Sequence, residues 1–183
     1  GSTGHISICS FYATKLIATG EGGMVLSPDA FCLEKARDLR DYDKRDEFIT
    51  RFNYKMTDLE AALGRCQLLK LDTFLGERRQ FAEIYDEGLK DSSCILPPKS
   101  GERIYYRYVV RLRNNIQRAI DYLEDREIES ARPIFRPLHC YFDLKGYPGA
   151  KACWDSHLSL PIYPGLVPES AQRVCEALNE FLD

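Results

Sequence analysis

Apolar and polar residues alternate weakly through His5-Ile6-Ser7-Ile8-Cys9-Ser10-Phe11, and a second apolar run follows at Gly23-Met24-Val25-Leu26-Ser27. Two short strands are expected there, around a loop at 12–22 that holds Lys15 and the turn Gly20-Glu21-Gly22-Gly23. Ser27-Pro28-Asp29 reads as a helix start, and Phe31, Leu33, Ala36 and Leu39 carry the helical spacing to about Arg40. Residues 41–55 are polar, charged and aromatic without a period, and read as loop. Thr57 followed three positions later by Glu60 has the form of a capping box. From Leu59 to about Leu89 the apolar spacing predicts one long helix, with Leu59, Ala62, Leu63, Cys66 and Leu69 on one face. Gly64 and Gly76 weaken it without breaking it, and close packing against another helix would explain either.

Residues 92–101 contain Pro97-Pro98 and read as a linker. Alternation over 104–112 predicts a half-buried strand, after which Asn114 or Asn115 is placed to cap a helix running to Leu123. Residues 129–138 hold two prolines and suit an extended edge strand and a turn. A short helix at 150–155, a short strand at 158–162 and a last helix opened by Pro168 complete the chain. The order after residue 100, β-α-β-α-β-α, predicts a small α+β domain. The two opening strands look like the end of a larger sheet, since a lone hairpin is marginal in water.

Composition narrows the function classes. Hydrophobic residues make up 44% and charged residues 29%, an ordinary globular balance. Lys plus Arg is 25 against 28 Asp plus Glu, a net charge of -3, so nothing points to nucleic acid. No apolar stretch is long enough to span a membrane as a helix, and no secretory signal opens the chain. Seven cysteines stand at irregular spacing without a C-x-x-C pair, which argues against a metal site and suits buried thiols in a cytoplasmic protein. The chain begins at Gly1 and its first methionine is Met24, which is read as a missing native start.

The chemistry-bearing candidate is Lys15. A loop lysine is ordinarily a solvated charge. This one follows a strand end, with hydroxyls at Ser10 and Thr14 and a glycine turn that lets backbone approach a ligand. Hydroxyls and amides suit phosphate, and a desolvated lysine can attack a carbonyl. Those are the needs of a phosphate-bearing aldehyde cofactor.

The segment Ser-Phe-Tyr-Ala-Thr-Lys-Leu-Ile-Ala-Thr-Gly-Glu-Gly-Gly-Met-Val at 10–25 resembles the lysine segment of the DegT/DnrJ/EryC1/StrS sugar aminotransferases. Asn53-Tyr54-Lys55-Met56-Thr57-Asp58-Leu59-Glu60-Ala61-Ala62-Leu63-Gly64 resembles a second signature, with Gln67-Leu68, Leu71-Asp72 and Arg78 in register. Pro137-Leu138-His139 and Leu158-Ser159-Leu160-Pro161-Ile162-Tyr163-Pro164 resemble the C-terminal ones. The resemblance implies an α/β fold of the aspartate aminotransferase type (fold type I) and pyridoxal 5'-phosphate (PLP) as cofactor. It implies that residues 1–40 are a remnant of the large cofactor-binding domain, 41–95 a loop and long connecting helix, and 96–183 the small α+β C-terminal domain. Residue by residue, it implies that Lys15 forms the internal aldimine and shuttles the proton of the amino donor, and that Ser10 binds the cofactor phosphate. Asn53 would reach the phosphate of a neighbouring subunit's cofactor, so that a homodimer shares each active site. His139 would lie near a nucleotide-sugar substrate. Lys55 stands where the family often has arginine, keeping the charge but losing the bidentate fork. Relatives that replace the lysine with histidine act as dehydratases, so Lys15 favours transamination, with glutamate the expected donor.

In such relatives an aspartate partner of the cofactor's ring nitrogen, an aromatic that stacks on the ring and a phosphate-holding loop precede the lysine segment. The expectation is therefore a C-terminal piece of an enzyme, inactive by itself. The competing reading is a truncated, non-catalytic homologue serving as a dimerisation or binding module. A third is an unrelated α+β domain with a chance lysine loop.

Overall fold

The computed structural model describes residues 3–99, 101, 103–113 and 116–183. It divides into two compact units, Gly1–Asp72 and Thr73–Asp183.

In the first unit, β1 (Ser7–Ser10) and β2 (Gly23–Leu26) pair antiparallel, with Ser7 opposite Leu26 and Ser10 opposite Gly23. The helix α1 spans Ala30–Leu39. Its cap is Asp29, whose carboxylate accepts from the Phe31 N–H at 2.9 Å, so Pro28 lies before the helix and not inside it. The next helix, α2, spans Asp58–Leu68 and opens with the expected capping box. There Glu60 accepts from the Thr57 N–H at 2.8 Å, and Thr57 accepts from the Glu60 N–H at 3.3 Å.

The single long helix expected from Leu59 onward is two. α2 ends at Leu68, and α3 begins anew at Leu71 and runs to Gly88. No glycine or proline marks the break, and the apolar spacing continues across it. The apolar face of α2 is not covered within its unit either. Leu59 is 85% exposed and Leu69 88%, and Thr19 is the one buried residue among the described residues of this unit.

The second unit carries the hydrophobic core. β3 (Tyr108–Arg111) pairs antiparallel with β4 (His157–Leu160), with Tyr108 opposite Leu160 and Val110 opposite Leu158. The remaining helices are α4 (Ile116–Glu124), α5 (Pro148–Ser156) and α6 (Pro168–Leu182). The core joins Phe81 and Tyr85 of α3, Tyr108 and Val110 of β3, Leu123 of α4, Leu158 of β4, and Val174 and Leu178 of α6. Where α3 meets α6, Gly88 is required. A methyl group there would lie 2.6 Å from Cys175 Sγ.

β3 begins four residues later than its alternation predicts. Tyr105 sits at φ 45°, a left-handed conformation that bulky residues rarely adopt, and the chain becomes extended only beyond it. The strand expected within 129–138 is reduced to one bridge between Ala131 and Ser159, and a single turn of 3-10 helix follows at Leu138–Cys140. The capping role expected of Asn114 or Asn115 falls outside the described residues.

Candidate active site

Lys15 lies on the loop that joins β1 to β2, and its N–H donates to the Tyr12 carbonyl at 2.9 Å, closing a tight turn. Ser10 ends β1, is exposed, and accepts from the Tyr12 N–H at 3.4 Å, an interaction too long to hold its hydroxyl. Lysine and serine thus share one strand end, as the spacing implied.

The loop is not loose. Phe11 N–H donates to the Gly22 carbonyl at 2.9 Å, and Thr19 N–H to the Phe11 carbonyl at 2.9 Å. The Thr19 hydroxyl, 5% exposed as a residue, turns back onto the Glu21 carbonyl. Two glycines make room. At Gly22, φ is 138°, and a Cβ would lie 2.9 Å from Thr19 Oγ1 and 3.0 Å from Met56 Cε. At Gly64, on α2, a Cβ would lie 3.0 Å from Thr19 Cγ2. Gly64 therefore admits a loop threonine and not a second helix. Thr19 is the residue that sequence reasoning missed, and its one signal was a lone threonine beside the glycine turn.

Asn53 is exposed in an extended segment tied to the end of α1. The Phe52 N–H donates to the Leu39 carbonyl at 2.7 Å and the Tyr54 N–H to the Arg40 carbonyl at 3.0 Å. The rings of Phe52 and Tyr54 stack at 4.9 Å, so Asn53 projects from the opposite side of the segment. Two ion pairs secure the same stretch: Arg51 Nε to Asp38 Oδ1 at 2.9 Å, and Lys55 Nζ to Asp41 Oδ1 at 3.0 Å. The Arg51 hydrogen bond lowers the Asp38 pKa. The Asp43 N–H, and after it Lys55, lower that of Asp41. Lys55 thus has an intramolecular partner.

His139 belongs to the second unit. It sits half-buried on the 3-10 turn, with its ring stacked on Tyr147 at 5.4 Å. Lys15, Ser10 and Asn53 belong to the first unit. Among the described residues no cluster of His, Cys, Asp and Glu could hold a metal, and no helix is long and apolar enough to cross a membrane.

An amine and a hydroxyl proton free to donate, on one braced loop, fit a phosphate-bearing aldehyde. The Met56, Thr19 and Gly64 contacts give that turn a packed underside.

A sequence profile of the DegT/DnrJ/EryC1/StrS aminotransferase family matches residues 1–179. The chain is 31% identical over 195 aligned residues to GDP-perosamine synthase of Escherichia coli O157:H7, covering 99% of this chain and 53% of that protein. It is 33% identical over 200 to GDP-perosamine synthase of Caulobacter vibrioides, covering 100% and 54%. Among solved structures, aminotransferase TlmJ from Streptoalloteichus hindustanus superposes with a TM-score of 0.90 at 28% identity, covering 98% of this chain and 53% of that one. DesV of S. venezuelae, solved with a ketimine intermediate, superposes with a TM-score of 0.87 at 28% identity, covering 98% and 52%. The chain spans about half the length of the curated relatives it matches.

Proposed function

Because the chain belongs to the DegT/DnrJ/EryC1/StrS aminotransferase family, we propose that it forms part of a PLP-dependent enzyme that moves an amino group, with glutamate as donor, onto a nucleotide-linked keto-sugar. The observation that carries this reading is Lys15 on a braced turn at the end of β1, with the Ser10 hydroxyl on the same turn.

The cofactor, when bound, supplies the electron sink for the amino group's carbon. Lys15 Nζ would hold the cofactor at its aldehyde carbon and, as a free amine, would move the proton at the donor carbon. The Ser10 Oγ–H would donate to the phosphate. Asn53, exposed on its extended segment, is assigned to the phosphate in the neighbouring subunit of a homodimer, an arrangement in which neither subunit is active alone. His139, oriented by Tyr147, is assigned to the nucleotide-sugar pocket. The activity is assigned to the full-length parent, and the 183-residue chain by itself is proposed to be inactive and to hold PLP weakly or not at all.

Borohydride reduction of the PLP-loaded parent, followed by peptide mapping, tests the reading. The label is expected on Lys15, and Lys15→Ala is expected to abolish both label and amination of nucleotide keto-sugars. Label on another lysine refutes the assignment. No label and no activity in a parent that remains dimeric supports the non-catalytic module instead.

A further inference from the structure

Lys15 stands in the middle of its loop. The chain leaves β1 at Phe11 and returns to β2 through Gly20, Glu21 and Gly22, and Tyr12, Ala13, Thr14 and Lys15 between them are exposed. The Lys15 N–H bond to the Tyr12 carbonyl tightens the apex but ties it only to its own loop. An exposed stretch of this kind takes its position from the points where its two stems are fixed.

Thr19 fixes both stems. Its N–H donates to the Phe11 carbonyl at 2.9 Å, on the outgoing stem. Its hydroxyl has one proton to give, and the nearer acceptor is the Glu21 carbonyl on the returning stem, with the Phe11 carbonyl at 3.4 Å. Its methyl group meets α2 where Gly64 has no side chain, since a Cβ there would lie 3.0 Å from Thr19 Cγ2. Burying a hydroxyl is costly unless it is bonded, and this hydroxyl is bonded to the glycine turn beside the lysine. We propose that Thr19 is a positioning residue for amino transfer: it joins both stems of the loop to α2 and so sets where Lys15 Nζ stands. The proposal rests on Lys15 being the residue that holds the cofactor. Valine in place of Thr19 keeps the shape and the N–H bond but removes the hydroxyl donor, whereas serine keeps the donor.

Hydrogen exchange in the PLP-free parent and steady-state amination by the PLP-loaded parent test it together. In Thr19→Val, exchange at the Lys15 amide should become about tenfold faster or more, with the α1 amides of the same unit unchanged. The kcat should fall about tenfold or more, while KM for a nucleotide keto-sugar stays within about twofold, because a displaced amine slows the proton transfer and not sugar binding. Thr19→Ser should restore most of both. Faster exchange with unchanged kcat marks a merely structural threonine and overturns the proposal. So do unchanged exchange at Lys15, equal losses in the valine and serine variants, or a rise in KM in place of the fall in kcat. Where the valine variant does not fold, Gly64→Ala decides, since its Cβ presses on the Thr19 methyl from α2. The same fall in kcat at constant KM is expected there, and an unchanged kcat overturns the proposal. Borohydride labelling of the wild-type parent separates the two readings. Label on Lys15 together with unaltered Thr19→Val kinetics removes only the positioning role, whereas label on another lysine removes the assignment of Lys15 and the positioning role with it.

Discussion

Replacing Arg78 by methionine removes a charge that is buried without a carboxylate. Arg78 is 6% exposed, and its Nη1 donates to the carbonyls of Tyr105 at 3.0 Å, Tyr106 at 3.1 Å and Ile162 at 2.9 Å. Two N–H bonds shared among three acceptors amount to about two full charge-assisted bonds, roughly 3–6 kcal/mol in all. Against that stands the cost of burying the guanidinium, seen in the lowering of its pKa by desolvation and in an Nε that has no partner. The methionine stem keeps most of the apolar packing. The net expectation for Arg78→Met is a loss of about 2–4 kcal/mol, because three carbonyls are stranded next to the left-handed Tyr105 that those bonds hold in place. Urea denaturation followed by tyrosine near-ultraviolet circular dichroism reads it. With an m-value of about 2 kcal/mol/M the midpoint falls by roughly 1–2 M. Arg78→Lys, which keeps the charge on a single ammonium, should fall between wild type and methionine. A methionine variant within about 0.5 kcal/mol of wild type at unchanged m would mean that the three carbonyls are satisfied without Arg78, and the reasoning fails.

Other outcomes follow from the same kind of contact. Gly88→Ala puts a methyl group 2.6 Å from Cys175 Sγ and should cost about 1–3 kcal/mol in thermal or urea unfolding. Tyr108→Phe deprives the buried Asp86 of a 2.6 Å hydrogen bond, leaving Lys99 at 3.8 Å as its remaining partner among the described residues, and should cost about 1–3 kcal/mol by the same assay. Gly22→Ala forces a Cβ against Thr19 and Met56 at a positive φ, and should speed hydrogen exchange at the Thr19 amide while leaving that of the β3 amides unchanged. Acid should loosen the segment that carries Asn53. The Asp38 and Asp41 pKa values are lower folded than unfolded, so their tethers are fully present above the ordinary aspartate value of about 3.9 and fade as pH falls through the folded values. Exchange at the Phe52 and Tyr54 amides should rise across that window, and a flat profile would count against the tethers.

What could be read from the chain alone was what short-range chemistry decides. The Thr57–Glu60 box needs only residues three apart, and Pro168 starts α6 because proline fits a first helical turn. The two strands of the hairpin follow from two apolar runs around a glycine turn, while their register does not. The α/β class and the aminotransferase family were reached through ordered motifs, since a lysine on a loop carries little weight by itself. The break at Leu69 escaped because its leucines continue the helical spacing. The late start of β3 escaped because alternation cannot report a left-handed Tyr105. The pattern also marked an apolar face on α2 without saying what covers it. Thr19 and Arg78 are long-range facts. The first depends on a glycine 45 residues away on α2, the second on carbonyls up to 84 residues away.

The thiols provide a built-in clock for opening of the second unit. Cys94 and Cys175 are buried, and desolvation raises both pKa values, that of Cys175 to about 11. Near neutral pH they stay protonated and sheltered, out of reach of alkylating reagents. Cys66 and Cys153 stand exposed and can be blocked first. Pulses of a second reagent then mark Cys94 and Cys175 only in molecules whose core has opened, so mass spectrometry can follow the rate of opening with no introduced label.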